Sequence, residues 1–96
     1  MKTLEEVKSI LEINKSRLHE VYGVSELGVF GSYSRRSQNN NSDIDIMVDF
    51  DKQVGVEFLE LATELEKLLG LKVDLVSKNG IKPRYLEAVK EDLIYV

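Results

Sequence analysis

The sequence predicts a small domain that mixes α and β elements: three core strands and a candidate C-terminal edge strand, interleaved with helices. Three observations carry this. The elements read helix, strand, loop, strand, helix, strand, helix, strand. Residues 43–50 alternate, with Ile44, Ile46, Val48 and Phe50 on one face and Asp43, Asp45, Met47 and Asp49 on the other, which is the period of a half-buried strand. A helical segment separates that strand from the next apolar run, so a crossover can set the two strands side by side. Residues 1–96 are read as one domain.

The first helix opens at Thr3, a good N-cap, and Glu6 completes a capping box. Leu4, Val7, Leu11, Leu18 and Val21 form its apolar stripe, with Ile10 beside them, and Gly23 stops it. His19 borders the stripe and is expected to be exposed. A strand over about 26–30 ends in Gly31-Ser32. The polar stretch Tyr33 to Ser42, with the run Asn39-Asn40-Asn41, reads as a loop. After the alternating strand comes a helix over about 56–69. Its expected stripe is Leu59, Ala62, Leu65, Leu68 and Leu69, and Gly70 ends it. The third strand, about 72–76, puts Val73 and Leu75 on one face and Asp74 on the other. Pro83 suits the first turn of a short helix over about 84–91, and residues 93–96 read as an edge strand.

Composition removes several classes of function. Thirteen Lys and Arg against seventeen Asp and Glu give a net charge of −4, which disfavours sequence-independent binding to long nucleic acid. With no cysteine there is no disulfide scaffold and no thiolate metal site. A single histidine cannot build a His-rich metal site. The apolar runs are too short to span a membrane, and the N-terminus turns acidic where a signal peptide would turn apolar. A cytoplasmic protein is expected.

Asp43 and Asp45 project from one face of a strand with Cα atoms roughly 6.5–7 Å apart. Carboxylates so placed repel unless a cation lies between them, and an oxygen-only donor set suits Mg²⁺ or Mn²⁺. Asp74 on an adjacent strand would complete a site able to hold two metal ions. An isolated Asp-x-Asp more often means solvated strand aspartates, as Asp49 and Asp51 are read. An EF-hand is excluded, because no register supplies both the glycine at position six and the glutamate at position twelve. Gly31-Ser32 after a strand lets the backbone and a hydroxyl approach a phosphate. It is neither a Walker loop nor a dinucleotide fingerprint. Arg35 and Arg36 add cations to the same loop. Tyr33 either stacks on a base or packs against the sheet.

Taken together, Gly31-Ser32-Tyr33-Ser34-Arg35, Ser42-Asp43-Ile44-Asp45-Ile46-Met47-Val48 and Val73-Asp74-Leu75-Val76 closely resemble the minimal nucleotidyltransferases. These are the smallest members of the DNA polymerase beta-like nucleotidyltransferase superfamily. The resemblance covers essentially the whole chain. Ser34 stands where the pattern has alanine and Arg36 where it has glycine. The latter removes a permissive backbone position.

The resemblance implies the α+β nucleotidyltransferase fold, a small mixed β-sheet with helices packed on one face and the carboxylates at an open edge, and a role for each residue. Asp43 and Asp45 would hold both metals, and Asp74 would hold the catalytic one and help deprotonate the attacking hydroxyl. Gly31 and Ser32 would bind the β and γ phosphates of ATP, with Arg35 nearby. It further implies transfer of AMP to a protein hydroxyl. Small stand-alone members pair with a HEPN-type ribonuclease toxin and act as its antitoxin by adenylylating a tyrosine. Two other readings stand beside it: an antitoxin that neutralises its partner by binding alone, and a nucleotidyltransferase for a small-molecule acceptor. A homo- or hetero-oligomer is compatible with each.

Overall fold

The computed structural model describes residues 2–96. Helix α1 (Leu4–Tyr22) starts as expected. The Thr3 hydroxyl accepts from the Glu6 N–H and the Glu6 carboxylate accepts from the Thr3 N–H, each at 3.1 Å, which satisfies two orphan donors of the first turn. Strand β1 (Val24–Phe30) follows, then a single helical turn α2 (Gly31–Ser34), strand β2 (Ile44–Phe50), helix α3 (Glu57–Leu69), strand β3 (Val73–Ser77), a 3₁₀ turn over Lys78–Gly80, helix α4 (Pro83–Asp92) and strand β4 (Ile94–Tyr95).

The four strands lie in the order β3-β2-β1-β4. β1 runs antiparallel to β2 and β4, and β2 and β3 run parallel, as a crossover through α3 requires. The sheet is therefore mixed, and the C-terminal tail does form its edge. The Val96 N–H donates to the Leu27 carbonyl at 2.9 Å and Lys15 Nζ donates to the Val96 carbonyl at 2.7 Å.

The main core lies between one sheet face and the two long helices. Leu4, Val7, Leu11 and Leu18 of α1 and Leu61, Leu65 and Leu69 of α3 meet Leu27, Val29, Ile44, Ile46 and Val48. Four of the expected apolar positions lie outside it: Ala62 and Leu68 are half-buried, while Val21 is 53% exposed and Leu59 66%. On a 100° wheel Leu59 sits about 120° round from the Leu61-Leu65-Leu69 stripe, and Val21 about 70° from the centre of its own. Both belong to helix flanks that no strand covers.

The reverse face is partly covered as well. Met47 is fully buried there, and its cross-strand partner Gly28 faces Leu93, the residue after α4. A Cβ at Gly28 would come within 2.6 Å of Leu93 Cδ1, so the missing side chain is what admits the tail.

The stretch after β1 departs from the expected loop at its start. Gly31–Ser34 is helical, closed by Arg35 N–H to Gly31 C=O at 3.1 Å and Ser37 N–H to Ser32 C=O at 2.9 Å. Tyr33 anchors it by burying its ring in the core, which decides its role in favour of packing. Among the described residues its hydroxyl has no hydrogen-bond partner, and burial pushes its pKa up. Further on, Asn39 and Ser42 close a turn: Ser42 Oγ accepts from the Asn39 N–H at 2.9 Å and Asn39 Oδ1 from the Asn41 N–H at 2.8 Å. Among the described residues no helix is long and apolar enough to cross a membrane.

Candidate active site

The crossover fixes which carboxylates meet. β2 and β3 pair with Ile44 opposite Val73 and Asp45 opposite Asp74. Two contacts pin that register at the head of β3. The Ile44 N–H donates to the Lys72 carbonyl at 2.9 Å, and the Val73 N–H donates to Glu66 Oε2 of α3 at 3.0 Å. In parallel pairing, residues in register point to the same face, so Asp45 and Asp74 stand side by side on the reverse face. On the other flank of β2, Asp45 is opposite Phe30, and the chain turns immediately afterwards into Gly31.

Gly31 is needed there twice over. Its φ is +73°, a region that L side chains rarely adopt. A Cβ on it would also collide with the Asp45 carboxylate. The backbone of the turn thus lies directly against that carboxylate, and Ser32 follows in the same turn.

The electrostatics of Asp45 are those of an anion lacking a cation. Its pKa is raised to about 6. Burial is the largest cause; next come the charge of Asp74, a hydrogen bond shared with that carboxyl, and the charge of Asp43. Arg35 acts in the opposite direction. Asp43 and Asp74 are exposed. Asp45 and Asp74 are therefore brought into contact, while Asp43 acts on Asp45 through its charge from two residues back along the chain. Among the described residues no three His, Cys, Asp or Glu side chains stand close enough to make a ready-formed metal cage.

Arg35 lies beside the site and is already engaged. Its Nη1 donates to Asp92 Oδ2, and the neighbouring Ser34 hydroxyl donates to the Asp92 carbonyl. Sequence reasoning missed Asp92. It lies 57 residues from Arg35, and no local spacing signals a contact of that range. Arg36 points elsewhere, its Nη2 2.8 Å from Glu5 Oε1 of α1. It occupies the left-handed region at φ +57°, the backbone position for which glycine is the permissive residue. Arg84 lies 5.2 Å over the ring of Tyr85 on the exposed side of α4.

A small mixed sheet with paired carboxylates on its one parallel strand pair, β2 and the edge strand β3, flanked by a Gly-Ser turn, is the layout of a nucleotidyl-transfer domain. The nucleotidyltransferase domain family matches residues 7–96 of this chain, and the chain belongs to that family. It is 47% identical over 97 residues to the protein adenylyltransferase MntA of Thermococcus cleftensis, covering 100% of this chain and 98% of that one. A solved structure provisionally named a minimal nucleotidyltransferase superposes with a TM-score of 0.84 at 33% identity, covering 97% of this chain and 95% of the other. A toxin–antitoxin complex crystallised with AMP-PNP gives a TM-score of 0.72 at 26% identity, over 98% of this chain and 72% of that one.

Proposed function

We propose that this protein transfers AMP from ATP to a protein hydroxyl, a tyrosine of a HEPN-type ribonuclease toxin, and so acts as that toxin's antitoxin. The observation that carries the reading is the alignment of Asp45 with Asp74 across two parallel strands, with the Gly31 backbone lying on the Asp45 carboxylate. The full-length similarity to a named protein adenylyltransferase supports the choice of a protein acceptor. The fold shared with a toxin–antitoxin complex supports the partner.

The residues suit Mg²⁺, with Mn²⁺ as a substitute. Their donors are all carboxylate oxygens, the charges of Asp74 and Asp43 both bear on Asp45, and the missing Cβ of Gly31 lets the turn backbone approach the Asp45 carboxylate. Asp43 and Asp45 would hold two ions, and Asp74 would share the catalytic one. Bound there, the metal supplies charge neutralisation for the triphosphate and acidifies a hydroxyl.

The remaining work falls to the chain. Gly31 and Ser32 cradle the β and γ phosphates through the backbone and the hydroxyl. Arg35 adds a cation to the same oxygens. The acceptor oxygen attacks the α-phosphorus, the bond from that phosphorus to the bridging oxygen breaks, and pyrophosphate leaves. Asp74 takes the proton of the attacking hydroxyl.

The test is to incubate the chain and its partner toxin with MgATP and measure the intact mass of the toxin. The expected result is one added AMP per modified tyrosine, absent with the triple variant Asp43→Asn, Asp45→Asn, Asp74→Asn. If that triple variant inhibits the toxin as well as the unmodified chain does, neutralisation is by binding and the enzymatic reading fails.

A further inference from the structure

We infer that Asp92 is a positioning residue: its carboxylate holds the Arg35 guanidinium in place beside the Asp45 site, ready for the triphosphate. The inference rests on the reading of Arg35 as a phosphate ligand.

One residue holds two successive residues of the turn. The Asp92 side chain accepts from Arg35 Nη1 and its main-chain carbonyl accepts from the Ser34 hydroxyl. Asp92 is itself well anchored. It ends α4, and Leu93 directly after it packs on Gly28. β4 then pairs with β1 at Gly28 and Val29, the strand that leads into the turn. The anchor is also the less exposed partner, with 28% of its side-chain surface exposed against 54% for Arg35.

The arrangement leaves the arginine free to act. A guanidinium has five N–H donors in a fixed fork, so a bond from Nη1 leaves most of them for phosphate oxygens. Arg35 closes the turn that begins at Gly31, its backbone N–H donating to the Gly31 carbonyl at 3.1 Å, and its charge reaches Asp45. A free arginine loses rotamer freedom when it binds a ligand, whereas one already tethered loses little. The Asp92 charge opposes this by weakening the attraction for phosphate. Tethering outweighs it because the pair is partly exposed and water screens its charge, whereas the lost freedom is not screened.

Calorimetric titration of MgATP and of AMP into the full chain tests this, with wild type, Asp92→Asn, Asp92→Glu, Arg35→Ala and the Arg35→Ala, Asp92→Asn double variant. Melting curves check that each is folded. Asp92→Asn should weaken MgATP about fivefold or more and AMP less than about twofold, because AMP lacks the β and γ phosphates. Asp92→Glu should recover most of the loss, and Asp92→Asn should add nothing once Arg35 is gone. MgATP affinity in Asp92→Asn equal to or tighter than wild type overturns the inference, as does an equal loss for AMP or the same loss in the Arg35→Ala background. If Asp92→Asn does not fold, Asp92→Glu decides alone: MgATP and AMP weakened by the same factor count against positioning. When Arg35→Ala is selective for MgATP and Asp92→Asn is not, only the positioning role falls. When Arg35→Ala is itself without effect, the phosphate role of Arg35 falls and the inference goes with it.

Discussion

Aspartates mark both ends of β2, and the two ends are in opposite electrostatic condition. At the far end Asp51 Oδ2 lies 2.8 Å from His19 Nε2, and Asp49 Oδ1 accepts from the Phe50 N–H at 3.0 Å. Asp49 also lies near Lys78, which pairs with Glu26 at 3.3 Å. Each carboxylate there has a donor inside the protein. At the near end Asp45 stands opposite Asp74, and burial together with the charges of Asp74 and Asp43 pushes its pKa up. Residue type and alternation are the same at both ends, so composition and period cannot separate them. The difference is in what the crossover places opposite: at the near end, a third aspartate. A site that stores repulsion in this way is stabilised by a cation and a ligand, whereas a satisfied end gains nothing from them.

The largest test of that contrast is activity. Asp→Asn at 43, 45 or 74 should each lower AMP transfer by about three orders of magnitude or more, since on the proposed function each would remove charge needed to hold metal against the phosphates. Asp49→Asn and Asp51→Asn should remain within about threefold. Initial rates of labelled AMP incorporation into the partner check both. Wild-type rates in Asp74→Asn would remove that residue from the site.

Next in size is stability against pH without metal. The folded pKa of Asp45, about 6, lies above the unfolded value near 3.9. Between those values the folded state binds more protons than the unfolded one, so stability falls as pH rises from about 4 to about 6 and stays lowered above that. A difference of that size corresponds to at most about 3 kcal/mol, and water reaching the half-buried carboxylate lowers the figure. In EDTA at pH 8, Asp45→Asn should therefore melt above wild type by about 5 °C or more, and the gap should close by pH 4. A variant that melts well below wild type at pH 8 would mean that Asp45 supports the fold through a hydrogen bond.

Third is the turn beside the carboxylates. Ser32→Ala removes one hydroxyl donor and should weaken MgATP binding by about 1–2 kcal/mol, roughly tenfold, with little change in melting temperature. Calorimetry reads it, and an unchanged MgATP affinity would leave the phosphate contact to the backbone alone.

How much of this was legible in the sequence depends on the range of each contact. The capping box at Thr3, the alternation of β2 and the αL stops at Gly23 and Gly70 are local, and all are present in the structure. The Asp45–Asp74 pairing is long-range, yet the crossover rule allowed it, because few topologies join two strands through one helix. The helix stripes were legible only approximately. Leu59 and Val21 sit on flanks, and their burial depends on which way the helix is rolled against the sheet. Asp92 was not legible at all: its partner is fixed by how α4 docks, which no period in the sequence encodes.

Arg36 extends the comparison from charge to backbone, with an effect of about 1 kcal/mol. A non-glycine residue at φ +57° carries a strain of about that size. Its pair with Glu5 is exposed on both sides, 64% and 65%, so its loss should cost little. Arg36→Gly should raise the melting temperature by about 2–6 °C, net of the entropy glycine adds to the unfolded chain. A fall instead would show that the Glu5 contact holds the turn against α1.

The smallest effect belongs to the satisfied end, and it is the sharpest check of the contrast. His19 and Asp51 are 57% and 47% exposed along their side chains, so water competes for both partners and salt screens what remains. Asp51→Asn keeps a group that can still bond the imidazole. Stability should change by under about 0.5 kcal/mol, which moves the melting temperature by less than about 4 °C in a domain of this size. The change should be the same with and without MgATP, because nothing at this end meets the ligand. Thermal melts in EDTA and in MgATP, run on Asp51→Asn beside Asp45→Asn, place the two ends of one strand in one experiment. Asp45→Asn should lose the ligand-induced rise, and Asp51→Asn should keep it in full. If Asp51→Asn also lost that rise, the far end would be coupled to the site through β2, and the division between a strained end and a satisfied end would not hold.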